Sequence, residues 1–307
     1  MDNKQMLASL ATEQVNAQSA RLDELSALEI VTLMNTLDAD VLKAVNAALP
    51  QIAEAVEGIV ERMKQGGRLI YMGAGTSGRL GVLDASECPP TFGVSNQLVQ
   101  GIIAGGDGAL RNAVEGAEDD RELGKKDLIG KALTDKDIVV GISASGYAPY
   151  CCGALEYANE VGALTVAMSC NRGANTSKVA KIAIEAPTGP ETLSGSTRLK
   201  AGTATKLMLN MLSTATMVKM GKVYKNLMVD VRATNVKLKD RSIRITMNAT
   251  GLGREEAEAL YQAAGGSIKA AIVMHETGVS KETAEQLLLD SEGYVRKAIQ
   301  AAGGKNE

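Results

Sequence analysis

Apolar residues recur at helical spacing in the first part of the chain. Between residues 25 and 48 they fall near one face of a helix, a face formed by Leu25, Leu28, Val31, Met34, Leu37 and Val41. Pro50 suits the first turn of a second helix, and the pair Gly66 and Gly67 ends it. The pattern therefore predicts two helices before any strand.

Short apolar runs then alternate with helical patterns from residue 68 to residue 220. The strand-like runs lie at 68–72, 98–104, 137–142, 163–169 and 181–185. Between and after them we predict a short helix that ends before Pro89, an acidic helix over about 108–126, a helix after Pro149 and a long helix over about 197–220. This alternation predicts an α/β fold, a doubly wound parallel sheet with helices on both faces and a ligand at the carboxyl ends of the strands.

The pattern changes after residue 222. Residues 233–303 show helical periodicity broken by single and paired glycines, which predicts a small helical domain. We therefore expect an N-terminal helical arm over 1–50, an α/β domain over 51–222 and a helical C-terminal domain over 223–307.

Composition narrows the classes of function. The chain has 307 residues, 45% of them apolar and 22% charged, with a formal net charge of -3, which is typical of a globular protein and does not favour nucleic acid or membrane as a partner. Aromatic residues make up only 3%, so stacking platforms for bases are not expected. The first 20 residues are polar, without the apolar segment of a signal peptide, and we expect a cytoplasmic protein. The four cysteines and one histidine do not form a metal-binding pattern, and we expect buried free thiols and no metal.

Two glycine- and hydroxyl-rich segments follow strands of the predicted sheet. Residues 73–78 fit G-x-G-x-x-G and contain Thr76 and Ser77, while residues 143–146 contain Ser143 and Ser145. A dinucleotide site is disfavoured, because the strand-like run 98–104 contains no acidic residue, and Asp107, just beyond it, lies 29 residues past Gly78, farther than the ~20 expected for a ribose contact. Hydroxyls and free N–H groups suit a phosphate monoester, although these hydroxyls are also ordinary helix caps.

Long segments of the chain carry a more specific resemblance. Residues 73–93, 102–122, 194–214 and 221–238, with Thr12-Glu13-x-x-Asn16-x-x-Ser19, resemble the N-acetylmuramic acid 6-phosphate etherases of the sugar isomerase (SIS) superfamily, which is related to glucokinase regulatory protein. The resemblance implies an SIS fold and a lyase that cleaves the D-lactyl ether by elimination and water addition. The products would be N-acetylglucosamine 6-phosphate and D-lactate, in cell-wall amino-sugar recycling. It also implies a homodimer and no cofactor.

An elimination of this kind needs a proton acceptor and a proton donor, and carboxylates in different environments suit both tasks. Spacing alone does not choose Glu118 over Glu115 or Asp119. The resemblance makes Glu87 the proton donor to lactate and Glu118 the second acid/base group. It assigns the phosphate and the sugar to a set of loop residues, namely Gly75, Thr76, Ser77, Ser143, Ser145 and Gly146.

Further contacts are implied near both ends of the α/β domain. Glu13 and Asn16 are expected to reach a neighbouring subunit's site, an arrangement common in this superfamily. Ser196, Thr197 and Lys200 lie where the long helix begins; capping is the simpler role of the two hydroxyls, and Arg198 or Lys200 is a candidate for contact with phosphate or the lactyl carboxylate. Asp84 is expected to be a cap, a surface charge or a contact to a substrate hydroxyl.

One position departs from the family pattern S-G-x-T-P-Y, because Ala148 stands in the place of the threonine. One hydroxyl donor to the phosphate is then missing, which predicts weaker binding and an unchanged reaction type.

Three other functions compete with this interpretation. A phosphosugar isomerase on the same domain would share proton removal at C2 but release no acid. A non-catalytic sugar-phosphate regulator would resemble glucokinase regulatory protein, although that protein carries tandem SIS domains and this chain has room for one. A dinucleotide oxidoreductase is supported only by the glycine-rich segment.

Overall fold

The computed structural model describes residues 10–231 and 236–303. Residues 1–9, 232–235 and 304–307 lie outside the described residues. The beginning of the predicted arm, part of the segment 221–238 and the end of the predicted C-terminal domain therefore fall outside the description that follows.

Five parallel strands form the central sheet, as the alternating pattern predicted. The strands are β1 (Leu69–Gly73), β2 (Val99–Ile103), β3 (Ile138–Ser143), β4 (Leu164–Ser169) and β5 (Ile182–Glu185), in the order β2-β1-β3-β4-β5. Every residue of β1 and β3 is buried, as expected for strands covered on both faces. The strand order reverses between β1 and β3, and the last residue of β1, Gly73, pairs with Ile142 of β3. The doubly wound α/β fold is thus confirmed, and its switch point lies where the two hydroxyl-bearing segments begin.

Helices precede the sheet, connect its strands and follow it. They are α1 (Ala27–Ala47), α2 (Leu49–Lys64), α3 (Gly75–Phe92), α4 (Arg121–Gly130), α5 (Pro149–Val161), α6 (Asn175–Val179) and α7 (Lys200–Lys219). A capping box of Ser26 and Glu29 starts α1. The first half of the apolar face predicted for α1 is not buried, because Leu28 is 74% exposed and Val31 56% exposed.

The helix predicted to end before Pro89 runs through both prolines. Pro89 and Pro90 lie in the last turn of α3, which ends at Phe92. Proline lacks an N–H group, so Pro89 and Pro90 cannot bond the carbonyls of Ala85 and Ser86, and the last turn of α3 is held with fewer backbone hydrogen bonds. The residue-before-proline rule therefore placed the end of α3 too early.

The acidic helix predicted over about 108–126 is also wrong in its central part. A short 3₁₀ helix covers Asp107–Leu110, and residues 111–120 form turns. Gly116 adopts a φ of +75°, a left-handed conformation that interrupts an α-helix. Asp120 then caps α4 by accepting a hydrogen bond from the backbone N–H of Leu123 (2.9 Å). Glu118 consequently lies in a turn and not on a helix face.

Contact density divides the chain into two compact units. The first contains the residues up to Ser86 together with Asn96–Ser213, and the second contains Glu87–Ser95 together with the residues from Thr214 onward. Beyond the end of α7, the second unit holds a two-stranded hairpin and five helices, namely β6 (Val223–Tyr224), β7 (Leu227–Met228), α8 (Val236–Thr250), α9 (Arg254–Ala263), α10 (Ile268–Thr277), α11 (Lys281–Asp290) and α12 (Val295–Ala301). The helical pattern predicted after residue 233 is confirmed over the described residues, whereas the hairpin was not predicted.

A buried ion pair crosses the second unit. Lys269 is 7% exposed, and its Nζ lies 2.5 Å from a carboxylate oxygen of Asp230 and donates to the carbonyl oxygen of Gly221 (2.9 Å). Burial lowers the pKa of Lys269, while the charge of Asp230 opposes that shift. The pair fixes the chain that follows α7 against α10.

Candidate active site

The first hydroxyl-bearing segment is the opening turn of α3. Gly73 ends β1, and a Cβ atom at that position would lie 2.8 Å from the backbone nitrogen of Gly78, so the strand can turn into the helix only with glycine there. Gly75 has a φ of +51° and begins α3. Thr76 and Ser77 therefore lie in the first turn of a helix, where free N–H groups and the helix dipole favour an anion.

The second segment is a tight turn between β3 and α5. The hydroxyl oxygen of Ser143 accepts a hydrogen bond from the N–H of Gly146 (3.0 Å), and that of Ser145 accepts one from the N–H of Tyr147 (3.1 Å). Gly146 has a φ of +73°, and a Cβ atom there would meet the Cβ of Ala174 at 2.2 Å. Ser143 is 3% exposed and shapes the turn, whereas Ser145 is half-buried and reaches a cavity.

A cavity of about 290 Å³ lies within the first unit, where these two segments meet. We call it the hydroxyl pocket. It is lined by Glu13, Ala74, Gly75, Thr76, Ser77, Glu118, Ala144, Ser145, Thr197, Gly202 and Thr205. Among these described lining residues the charged groups are two glutamates, and none is a lysine or an arginine. An anion in the hydroxyl pocket would therefore be held by hydroxyls and backbone N–H groups.

Glu118 is the carboxylate that the fold holds most firmly in the hydroxyl pocket. Its carbonyl oxygen accepts a hydrogen bond from the N–H of Tyr150 (2.9 Å), which anchors the turn to the start of α5. Its side chain keeps access to solvent, but the protein around the carboxylate and the nearby charge of Asp119 both raise its pKa. A carboxyl group with a raised pKa is suited to accept and return a proton near neutrality.

The N-terminus of α7 is occupied by a carboxylate of the protein itself. Glu191 is fully buried and accepts hydrogen bonds from the N–H groups of Lys200 (2.8 Å) and Ala201 (2.9 Å). Burial raises the pKa of Glu191, while these hydrogen bonds and the charge of Lys200 oppose that shift. Lys200 is only 2% exposed and is not among the lining residues, so α7 contributes Gly202 and Thr205 to the hydroxyl pocket instead.

The hydroxyl pocket brings together seven of the residues singled out from the sequence, which are Glu13, Gly75, Thr76, Ser77, Glu118, Ser145 and Thr197. Glu13 lines the pocket of its own chain, although it was expected at a neighbour's. The other lining residues were not singled out. The signal that could have found Thr205 is its position three residues after Gly202, a spacing that puts the two on one face of a helix.

The remaining candidates lie outside the lining. Glu87 is exposed on α3, three turns beyond Gly75. Asn16 is buried, and its side chain caps the local turn by accepting from the N–H of Gln18 (3.0 Å). Ser196 precedes α7 and is half-exposed. Gly146 lines a second cavity, which shares Ser145 with the hydroxyl pocket.

Asp84 is a buried carboxylate and not a surface charge. It is 7% exposed and accepts hydrogen bonds from the hydroxyl of Tyr71 (3.1 Å), the amide of Asn210 (2.8 Å) and the hydroxyl of Ser213 (3.1 Å). Burial raises the pKa of Asp84, and the three donors oppose that shift. The residue ties β1, α3 and α7 together.

The four cysteines are free and buried, as predicted. Within 10–231 and 236–303, no group of three or more histidine, cysteine, aspartate or glutamate side chains is arranged to hold a metal ion. In the same part of the chain, no helix is long and apolar enough to cross a membrane.

The fold and the hydroxyl pocket define an SIS-domain protein. The SIS domain family matches residues 124–215, and the glucokinase regulatory protein N-terminal SIS domain matches residues 51–159. A solved phosphoheptose isomerase from Francisella tularensis is 19% identical, with a TM-score of 0.47 over 62% of this chain and 98% of that chain.

Relatives that match nearly the whole length of the chain show which family it belongs to. The N-acetylmuramic acid 6-phosphate etherase of Geobacillus sp. (strain WCH70) is 55% identical over 96% of this chain and 100% of its own length. The etherase of the same name from Enterobacter sp. (strain 638) is 54% identical over 96% of this chain and 99% of its own. The chain belongs to the N-acetylmuramic acid 6-phosphate etherase family, which confirms the resemblance seen in the sequence motifs.

Proposed function

We propose that this protein cleaves the D-lactyl ether of N-acetylmuramic acid 6-phosphate and releases N-acetylglucosamine 6-phosphate and D-lactate. The observation that carries the proposal is the hydroxyl pocket, in which a carboxyl group with a raised pKa faces two anion-binding turns, in a chain that matches named etherases over 96% of its length. Such a lyase acts in the recycling of cell-wall amino sugars.

The phosphate would bind between the opening turns of α3 and α5. Thr76, Ser77 and Ser145 offer hydroxyl donors, and Thr76 and Ser77 also lie in the first turn of α3, where N–H groups have no partner within the helix. Because α7 is already capped by Glu191, its N-terminus is not needed for the phosphate. The absence of a cation among the described lining residues leaves the dianion to neutral donors and to the dipole of α3.

The reaction begins once the sugar ring opens to its aldehyde, which makes the proton on C2 acidic. The Glu118 carboxylate takes that proton, and the electron pair forms the C2–C3 double bond as the C3–O bond to lactate breaks. A protonated acid gives its proton to the departing oxygen, so D-lactate leaves neutral at that atom. Water then adds its oxygen to C3, a proton returns to C2, and N-acetylglucosamine 6-phosphate results.

The acid that protonates lactate is Glu87 in this proposal. The side chain of Glu87 is exposed on α3, which leaves its carboxyl group accessible to a bound sugar phosphate. Leu28, Val31 and Leu42 are 74%, 56% and 65% exposed, and their spacing puts them on one side of α1. An exposed apolar stripe of this kind supports a homodimer.

The remaining organisation belongs to the same proposal. The arm over 1–50 supplies Glu13, the SIS domain over 51–222 supplies the other pocket residues, and the helical domain over 223–307 has no assigned chemistry. Four buried free thiols support a cytoplasmic location, where cysteines stay reduced. The partner is a small amino-sugar phosphate.

Turnover of N-acetylmuramic acid 6-phosphate in ¹⁸O-water tests the proposal. Mass spectrometry is expected to find the label at C3 of N-acetylglucosamine 6-phosphate and unlabelled D-lactate. Label in the lactate hydroxyl would show cleavage on the other side of the ether oxygen and would overturn the roles of both glutamates. Conversion of a hexose phosphate to its ketose without acid release would identify an isomerase instead.

A further inference from the structure

Asn171 follows β4 and is 2% exposed, yet its side chain reaches the N-terminal segment of the chain. Its Oδ1 accepts a hydrogen bond from the backbone N–H of Ala11 (2.7 Å), and its Nδ2 donates to the hydroxyl oxygen of Thr12 (3.0 Å). Thr12 is fully buried. The segment 10–13 is thus fixed through one amide group that comes from about 160 positions away in sequence.

The same amide also holds the turn between β3 and α5. Its Nδ2 lies 3.2 Å from the carbonyl oxygen of Ala144 and 3.3 Å from that of Ser145. The backbone of Asn171 is fixed in turn, because its carbonyl oxygen accepts a hydrogen bond from the hydroxyl of Ser169 (2.9 Å). One side chain therefore joins two segments that are remote from each other in sequence.

Both segments form walls of the hydroxyl pocket, although Asn171 itself does not line it. Glu13 directly follows Thr12, and Ala144 and Ser145 are lining residues. We propose that Asn171 is a positioning residue of the etherase, which holds Glu13 and the turn at Ser145 in one arrangement around the sugar phosphate. This inference rests on the proposed function.

The chemistry of the position requires an amide. An acceptor is needed for the N–H of Ala11 and a donor for the oxygens of Thr12, Ala144 and Ser145. Alanine supplies neither, and aspartate would set an oxygen against three oxygens. Loss of the amide displaces two pocket walls together, and small displacements near the reacting atoms cost up to about 100-fold in rate.

Three variants distinguish a positioning role of Asn171 from an effect on the stability of the protein alone. Asn171→Ala removes all contacts of the amide, and Thr12→Val removes only the acceptor on the N-terminal segment. Asn159→Ala is the matched control, because the amide of Asn159 also joins two segments, donating to the carbonyl oxygen of Val179 (2.8 Å) and accepting from the hydroxyl of Thr165 (2.9 Å), and it does not line the pocket.

Hydrogen exchange of the peptide 10–16 reports the tether without any turnover. We expect exchange at the amide of Ala11 to rise by more than about tenfold in Asn171→Ala. We expect N-acetylglucosamine 6-phosphate to slow exchange in this peptide in the wild-type protein and not in the variant. Unchanged exchange in Asn171→Ala, or equal protection in both proteins, would overturn the inference even if the wild-type protein is an etherase.

Kinetics then test the link to Glu13. We expect kcat/KM to fall by about 10- to 100-fold in Asn171→Ala and to change little in Asn159→Ala. Glu13→Gln should reduce kcat/KM in the wild-type background and add little in the Asn171→Ala background, because its position is already lost. Additive effects would mean that Asn171 does not act through Glu13. If Asn171→Ala does not fold, Thr12→Val replaces it in the same double-mutant comparison with Glu13→Gln.

An inactive wild-type protein would contradict the proposed function and leave the exchange experiment standing. Protection of peptide 10–16 by N-acetylglucosamine 6-phosphate in the wild type, lost on removal of the Asn171 amide, would then still support a pocket organised by this residue. Failure of the proposed function and failure of the inference about Asn171 are therefore distinguishable.

Discussion

The carboxylate of Glu191 accepts a hydrogen bond of 2.8 Å from the backbone N–H of Lys200 and so caps α7 from a fully buried position. Its second oxygen accepts from the N–H of Ala201 at 2.9 Å. The helix that borders the hydroxyl pocket is thus completed by the protein's own anion. The first turn of α7 is therefore not available to bind a phosphate.

Glu191→Gln should reduce the free energy of unfolding by about 1–3 kcal/mol, because glutamine leaves one buried N–H of the α7 terminus without an acceptor. Urea unfolding followed by circular dichroism measures this change. Glu29→Gln is the control, since Glu29 caps α1 at an exposed position and should matter less. Equal losses in the two variants would contradict the importance of burial at Glu191.

Glu118→Gln should lower kcat by about 10²–10⁴-fold and leave sugar-phosphate binding largely intact, because it removes the proton acceptor and keeps the shape of the side chain. Steady-state kinetics and exchange of the C2 proton with deuterated water measure the two effects. Glu115→Gln is the matched control, three positions earlier in the same turns and exposed. Comparable losses in both variants would assign the effect to the turn and not to Glu118.

The effect of the same substitution on the stability of the protein should depend on pH. The folded protein raises the pKa of Glu118 above its ordinary value of 4.5, so the protonated form stabilises the fold below that pH, and this contribution is lost as the pH rises through the folded pKa. Glu118→Gln should therefore raise Tm at about pH 8 and leave it nearly unchanged at about pH 4. A Tm that falls at high pH would show that the charged carboxylate is stabilised in the fold.

Ala148 lies at the N-cap of α5, is 1% exposed and caps the helix with no side-chain hydrogen bond. Ala148→Thr should lower the dissociation constant for N-acetylglucosamine 6-phosphate by about 10- to 100-fold, the range of one hydrogen bond to a charged group. Ala148→Val adds the same volume without the hydroxyl and should weaken binding. Calorimetry of both variants separates the hydroxyl from the added bulk, and equal affinities would show that no donor is missing.

A mixture of subunits tests where Glu87 acts. If Glu87 serves the pocket of a second copy, Glu87→Gln and Glu118→Gln chains should each be inactive alone. Their mixed dimer would contain one intact site, so random mixing should recover about a quarter of wild-type activity. Co-expression with two different tags and separation of the mixed species measures this recovery. No recovery in a purified mixed dimer would place Glu87 and Glu118 of one chain at the same site.

The sheet was predictable because each strand is a short apolar run with no competing pattern. Turn chemistry was harder to predict: Gly116 breaks an acidic stretch that otherwise matches a helix, and this places Glu118 in a turn. Pro89 was taken to end a helix that in fact runs through it. Local rules of this kind are overridden by packing that lies far away in sequence.

The candidate site was predictable where a motif presents hydroxyls after a strand, as at Thr76 and Ser145. Sequence reasoning missed Glu191 and Asn171, because a lone polar residue in a loop gives no local sign that it is buried or what it contacts. It also left Asp84 among a cap, a surface charge and a contact to a substrate hydroxyl, since the donors that bury this aspartate come from β1 and α7. The spacing of residues along the chain does not reveal hydrogen bonds between residues that are far apart in sequence.

The described lining residues of the hydroxyl pocket include two glutamates and no cation. This composition affects how ligand binding depends on ionic strength. A phosphate site built from lysine and arginine attracts its ligand over about a Debye length, near 8 Å in physiological salt, and weakens as salt is added. Neutral donors exert no such long-range pull. The ligand would be captured at short range only, and its affinity would not fall as salt is added in the way that the affinity of a cationic site does.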